Sequence, residues 1–178
     1  MAKAKAGPKT QTAKQVATAY FEAIKARDVD AMAACWRPGS VDHFYGMAEL
    51  EAPADLKDWF GGLFRAFPDF VMEVEDLVAY GNKAAVRWSA TGTFTGTGKF
   101  EGLLATGASV ELEGLDLLTI EEGKIVENRA FSNGLEMARQ MGAMPPRGSA
   151  GERVMLGLTN LRTAALTALR RFRERRAG

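Results

Sequence analysis

The sequence predicts an α+β domain: a curved antiparallel sheet wrapped around three N-terminal helices, with an amphipathic helix appended at the C-terminus. Three observations carry this. Ahead of residue 147, helical spacing of apolar residues is confined to the first seventy positions. Four strand-like stretches with tight-turn signals follow. The composition then changes after Met144-Pro145-Pro146-Arg147-Gly148.

Residues 1–11 are small and basic, broken by Gly7-Pro8, and read as a disordered tail. Thr12 can cap a helix whose apolar positions are Val16, Ala17, Tyr20, Phe21 and Ile24. Asp28-Val29-Asp30 caps a second short helix running through Trp36 and ended by Pro38-Gly39. Ser40 to Tyr45 reads as a short strand ending at Gly46. Pro53-Ala54-Asp55 starts a third helix with Leu56, Trp59, Phe60, Leu63 and Phe64 on one side, stopped by Phe67-Pro68-Asp69. The strands are Phe70 to Tyr80, Lys83 to Phe94, Ala108 to Ile120 and Lys124 to Ser132, with turns at Gly81-Asn82 and Glu122-Gly123. The glycine- and threonine-rich stretch Gly92 to Gly107 reads as a mobile or bulged connection near a pocket mouth. A curved sheet covered on one side leaves a cone with an interior pocket. The compact domain is expected over 12–146, and 147–178 reads as a linker and a basic amphipathic helix. Within 152–176, Val154, Leu158, Leu161, Ala165, Leu169 and Phe172 form one stripe, with Arg162, Arg170, Arg173 and Arg176 around it.

Composition bounds the function. With 47% apolar residues the chain can enclose a small cavity, and a formal charge of +1 provides no global field for nucleic acid. One cysteine, Cys35, excludes an internal disulfide framework. No run approaches the roughly 18 apolar residues of a membrane span, and the N-terminal lysines precede no apolar segment, so the cytoplasm is the expected location.

The chemical clue is Asp116. Counting by twos along its strand, its face-mates are Leu112, Gly114, Leu118 and Ile120. A carboxyl group on an apolar strand face is costly unless it is neutral, hydrogen-bonded or used. His43 is the single histidine, and so the one side chain whose ordinary pKa lies near neutrality. Tyr20 sits on the apolar stripe of the first helix and needs a partner for its hydroxyl.

Tyr20 to Gly142 resembles the NTF2-like superfamily. It is most similar to the SnoaL-like polyketide cyclase (ester cyclase) branch and, more distantly, to ketosteroid isomerase. The segments carrying the resemblance are Tyr20-Phe-Glu-Ala-Ile-Lys-Ala-Arg-Asp-Val-Asp30, Phe67-Pro-Asp-Phe70, Val86-Arg-Trp-Ser-Ala-Thr-Gly-Thr-Phe94, Gly114-Leu-Asp-Leu-Leu-Thr-Ile120 and Gly123-Lys-Ile-Val-Glu127. The resemblance implies a cone-shaped pocket, with Tyr20 donating to a developing enolate oxygen and Asp116 as a carboxylic acid kept protonated in an apolar site. Ketosteroid isomerase is itself the standard example of that device. It places His43 where the isomerase has its catalytic base. Ala130 and Asn133 stand where cyclase-like sequences are often acidic.

On this basis we expect a cofactor-independent cyclase or isomerase acting on a small apolar carbonyl compound, polyketide- or steroid-like, by proton abstraction and enolate stabilisation. His43 is the expected base and Asp116 and Tyr20 the hydrogen-bond donors. Trp36, Trp59, Phe60, Phe64, Trp88, Phe131 and Asn133 are expected to line the pocket, favouring a small hydrophobic or aromatic ligand. Asp42, His43, Glu49 and Glu51 make a poor metal signature, and no phosphate-cradling glycine motif follows a strand, so neither metal nor cofactor is expected. A homodimer is expected, with 152–176 as an oligomer or protein-partner contact; a membrane surface is the lesser reading and nucleic acid is not expected. The alternative is a non-catalytic binding or assembly module whose C-terminal helix carries the function.

Overall fold

The computed structural model describes residues 11–177, with side chains through Glu174. Apart from Gln11, the tail expected to be disordered lies outside the described residues. Helix α1 (Ala13–Lys25) opens on a capping box: Thr12 Oγ1 accepts from the Gln15 backbone, and the Gln15 side chain accepts from Thr12 N. Its stripe of Val16, Ala17, Tyr20, Phe21 and Ile24 is at most 2% exposed. Asp28 caps α2 (Val29–Ala34) through the amides of Asp30 and Ala31. This helix ends earlier than its spacing implies, because Trp36 already opens β1 (Trp36–Phe44).

The β1 strand pairs with β2 (Ala48–Ala52) around Gly46, whose φ is +80°. Ala-Glu-Leu-Glu-Ala consists of strong helix formers, so local preference conceals this strand. Pairing along β1 overrides it. Helix α3 (Ala54–Ala66) follows, then β3 (Val71–Tyr80), β4 (Lys83–Thr93), the short β5 (Lys99–Phe100) and β6 (Leu103–Leu104), β7 (Ser109–Glu121), β8 (Lys124–Ser132), α4 (Gly134–Gln140) and α5 (Ala150–Ala177). The main sheet runs β2-β1-β8-β7-β4-β3; β1 and β8 are parallel and the other neighbours antiparallel.

The Gly92–Gly107 connection is anchored to α3. Gly96 N donates to Ala66 O at 2.9 Å, and a Cβ at Gly96 would sit 1.7 Å from the Arg65 carbonyl oxygen. Arg27 straps the end of α3, donating to the carbonyls of Phe64, Phe67 and Pro68 with its guanidinium 5.1 Å from the Phe64 ring centre. The core lies between α1, α3 and the concave face of the sheet. No described helix is long and apolar enough to cross a membrane.

Candidate functional site

Strand alternation sends Asp116 of β7 inward with Leu118 and Ile120, flanked across the sheet by Val86 and Ala130. On β1, the same rule turns Asp42 inward. Between them on β8 lies Asn128, the register partner of Asp42 and of Leu118. All three side chains are buried: Asp42 and Asn128 are 0% exposed, Asp116 4%.

Asn128 Nδ2 donates to both acids, at 2.9 Å to Asp42 Oδ1 and 2.7 Å to Asp116 Oδ2. The amide orientation follows from chemistry, since the reverse would aim its oxygen at two carboxyl oxygens. Trp88 Nε1 donates to the other Asp116 oxygen at 2.8 Å. Gly114 makes that contact geometrically feasible, because a Cβ there would lie 2.1 Å from the Trp88 ring. Tyr20 packs edge-on against Trp36, ring centres 5.8 Å apart. Tyr20 Oη, Trp36 Nε1, Asp42 Oδ2 and Asn128 Oδ1 are buried with no well-formed hydrogen bond among the described residues. Buried polar atoms are nearly always satisfied, so this group has unused hydrogen-bonding capacity.

Burial pushes the Asp116 carboxyl up to about 6, and the Trp88 and Asn128 donors restrain the rise. Asp42 is pushed well above the ordinary carboxylate range by burial and then by the charge of Asp116, against the opposing pull of the Asn128 amide and the nearby Tyr20 hydroxyl. Tyr20 rises well above its ordinary value, through burial first and the two carboxylates next. Both carboxyls therefore hold a proton more tightly than an exposed acid does. The two titrate together.

Asp116 and Tyr20 face a mostly apolar cavity of ≈ 60 Å³, with Ser132 the other polar residue on its lining. Its walls include Phe21, Phe60, Trp88 and Met72, and the half-buried Phe44, Met47, Trp59 and Phe70 also border it. The volume suits a group of a few heavy atoms, well below the roughly 300 Å³ at which pockets for drug-sized ligands begin.

The structure brings Tyr20 and Asp116 together and separates His43 from both. One residue on from inward-facing Asp42, His43 points to the outer face of the sheet. Its Nδ1 lies 3.4 Å from Glu49 Oε2, its Nε2 4.0 Å from Glu127 Oε1, and its ring 6.2 Å from Tyr45. Of the expected lining residues, Trp59, Phe60 and Trp88 border the cavity. Phe64 is buried between Phe60 and Phe70, and Trp36 lies beneath Tyr20. Phe131 stacks on Tyr45 outside the sheet at 4.7 Å, and Asn133 caps α4, its Oδ1 accepting from Glu136 N at 3.0 Å. Asp42, His43, Glu49 and Glu51 do not converge, and among the described residues no group of three or more His, Cys, Asp or Glu comes together as a metal site.

With that geometry in view, the model of the SnoaL-like polyketide cyclase family matches residues 14–141. This chain belongs to that family. No curated protein matches it. Among solved structures, the SnoaL-like chain is similar to AclR from Streptomyces galilaeus, a proposed hydroxylase, at 25% identity and TM-score 0.65, over 89% of this chain and 96% of that one. It is also similar to IdmH from Streptomyces antibioticus, a proposed polyketide cyclase, at 25% identity and TM-score 0.61, over 74% and 99% of the two chains. A Catenulispora acidiphila protein with a ketosteroid isomerase-like fold, in complex with trimethylamine, shares the fold at 11% identity and TM-score 0.60, over 74% and 95%. The architecture is thus an NTF2-like cone. Within it, Ala130 faces inward as the cross-strand partner of Asp116, so the interior acids of this SnoaL-like protein stand at 42 and 116.

Proposed function

We propose that this SnoaL-like protein is a cyclase- or isomerase-type enzyme that removes an acidic C–H proton next to a carbonyl group in a small, mostly apolar substrate. One observation carries the reading. Asp116 is a carboxylate in an apolar cavity, with both oxygens held by donors and an ionisation near pH 6. A base is most effective when its pKa lies near the working pH, and Asp116 meets that condition while still largely ionised at neutrality. Its fixed donors leave lone pairs for an incoming proton without loosening the carboxylate.

Tyr20 supplies the complementary donor. Its hydroxyl stays protonated, faces the same cavity and has no well-formed partner to give up. Donation to an enolate oxygen strengthens as charge develops there, which is the useful form of transition-state stabilisation. Asp42, behind Asn128, is held toward its neutral form by burial and by the charge of Asp116. The cavity admits the carbonyl end of a substrate, and Phe44, Met47 and Trp59 receive its apolar remainder. His43 has no part in this chemistry.

The test is solvent-deuterium incorporation into a panel of aromatic and polycyclic ketones, read by mass spectrometry. Exchange that Asp116→Asn abolishes and Tyr20→Phe slows supports the reading. No exchange with any ketone the protein retains would leave a non-catalytic binding pocket instead.

A further inference from the structure

Two apolar cavities lie side by side in the cone. Next to the one that Asp116 and Tyr20 face, a second of ≈ 30 Å³ is bordered by Phe67, Gly92 and Val110. The two share one wall, made by Leu63, Phe70, Ala90, Leu112 and Met137. Thr91 is the polar residue on the second lining, and it belongs to the exposed parity of β4. Protein interiors hold few voids larger than a water molecule. A dry cavity with apolar walls takes up apolar ligands.

The strands open this space by a taper. Along the inner face of β4 the side chains shrink from Trp88 to Ala90 to Gly92, opposite Gly114, Leu112 and Val110 of β7. From Asp116 to Val110 is about 20 Å along a strand, so the second cavity lengthens the site rather than widening it. Phe67 closes the far end. Its ring is held by Phe94, stacked at 5.1 Å, and by Phe100, edge-on at 5.7 Å, which makes a fixed stop.

The shared wall yields at one point. Met137 belongs to α4, which Gln140 ties to β7, its Oε1 accepting from Glu111 N at 2.8 Å. The Met137 side chain is buried and unbranched, with three rotatable bonds, so it reshapes more readily than Leu112 or Phe70. Resting on the reading of Asp116 and Tyr20 as the carbonyl site, we propose that the two cavities are compartments of one substrate site. One arm of the ketone lies against Phe44, Met47 and Trp59. Met137 swings aside to admit the other arm, an unbranched alkyl chain, and Phe67 sets the length that fits.

The test measures the affinity of the full chain for straight-chain phenyl ketones, from acetophenone to octanophenone, by equilibrium dialysis, with circular dichroism confirming folding. Wild-type affinity should rise about fourfold per methylene buried, then stop rising at the chain length that meets Phe67. Gly92→Ala places a methyl 3.3 Å from the Phe67 side chain, inside the second compartment, and should move that break to a shorter chain. Met137→Ala removes the partition and should move it to a longer one. Loss of fold cannot shift the break in both directions. A wild type that binds none of the series, an affinity that climbs without a break, or a break that neither substitution moves would each overturn the proposal. Deuterium exchange that proceeds alongside any of these failures would leave the Asp116 chemistry standing. A break that moves as stated, with no exchange into any ketone, would uphold the two compartments and sink the chemistry.

Discussion

The two faces of the same three strands carry similar residue types under opposite conditions. Inward, β1, β8 and β7 place Asp42, Asn128 and Asp116 in a row excluded from water, where one amide joins two carboxyls and burial raises the pKa of both. Outward, β1 and β8 place His43, Glu127 and Arg129 beside Glu49 of β2, partly exposed and loosely paired; Arg129 meets Glu127 at 3.0 Å. Exposed pairs of this sort contribute about 0–1 kcal/mol. One residue of strand parity thus decides whether an ionisable group is a tuned acid or a surface charge.

The sharpest way to break this comparison is to neutralise the inner anion. Asp116→Asn should reduce deuterium exchange into ketones by about 10²–10⁴-fold, the usual contribution of a positioned acid or base, with the circular dichroism spectrum retained. A variant with undiminished exchange would move the base elsewhere.

The second prediction follows from the raised pKa of the same carboxyl. Asp116 rises from 3.8 to about 6 on folding, so the folded chain binds this proton more tightly than the unfolded chain. Its contribution to stability is complete below pH 3.8 and is lost as pH rises through 6. The loss amounts to about 3 kcal/mol, because a tenfold difference in proton affinity between folded and unfolded chains is worth about 1.36 kcal/mol. Urea denaturation of wild type and Asp116→Asn should therefore diverge by about that much in the variant's favour between pH 4 and pH 8. Parallel curves would show that Asp116 titrates as an exposed carboxyl.

Gly114→Ala probes the scaffold. The added methyl overlaps the Trp88 ring and drives its Nε1 away from Asp116. Overpacking of this sort costs about 1–3 kcal/mol, read as a lower melting temperature together with altered tryptophan fluorescence. Asn128→Ala should act more on chemistry than on folding rate or yield. It removes the donor that restrains both acids, so the acidic limb of the exchange pH profile should move to higher pH. An unmoved profile would show that the amide does not couple the pair.

Much of the fold was legible because its signals are local. The stripe of α1, the caps of α1 and α2 and the turns at Gly81 and Glu122-Gly123 all follow from short spacings. Asp116 was legible for the same reason, as a lone acid on an apolar strand face. Asp42 was not. Along β1 and the residue after it both parities carry apolar residues, Trp36 and Phe44 on one and Val41 and Tyr45 on the other, so alternation alone cannot choose between Asp42 and His43. Asn128 was concealed by an irregularity: the β7–β8 register shifts between Thr119 and Ile120, so Ile125 and Asn128 both face inward although three apart. The β2 strand was hidden by helix-forming residues that only tertiary pairing extends. The long exposed stripe of α5 was readable as a pattern, because its spacing is local.

The smallest expected effect is the most pointed. His43→Gln keeps a polar side chain on the outer face and removes the titratable ring. With weak partners at 3.4 and 4.0 Å, it should change stability by less than about 0.5 kcal/mol, as surface substitutions usually do. Exchange activity should stay within about twofold, because no step in the cavity passes through the outer face. A loss comparable to that of Asp116→Asn would mean that β1 turns by one residue in the working enzyme, exchanging Asp42 for His43 in the interior. That outcome would also expose Phe44, whose ring lies 4.8 Å from Trp59, so a shift in tryptophan fluorescence would accompany it. An inert His43 with unshifted fluorescence confirms the strand register on which the acid pair depends.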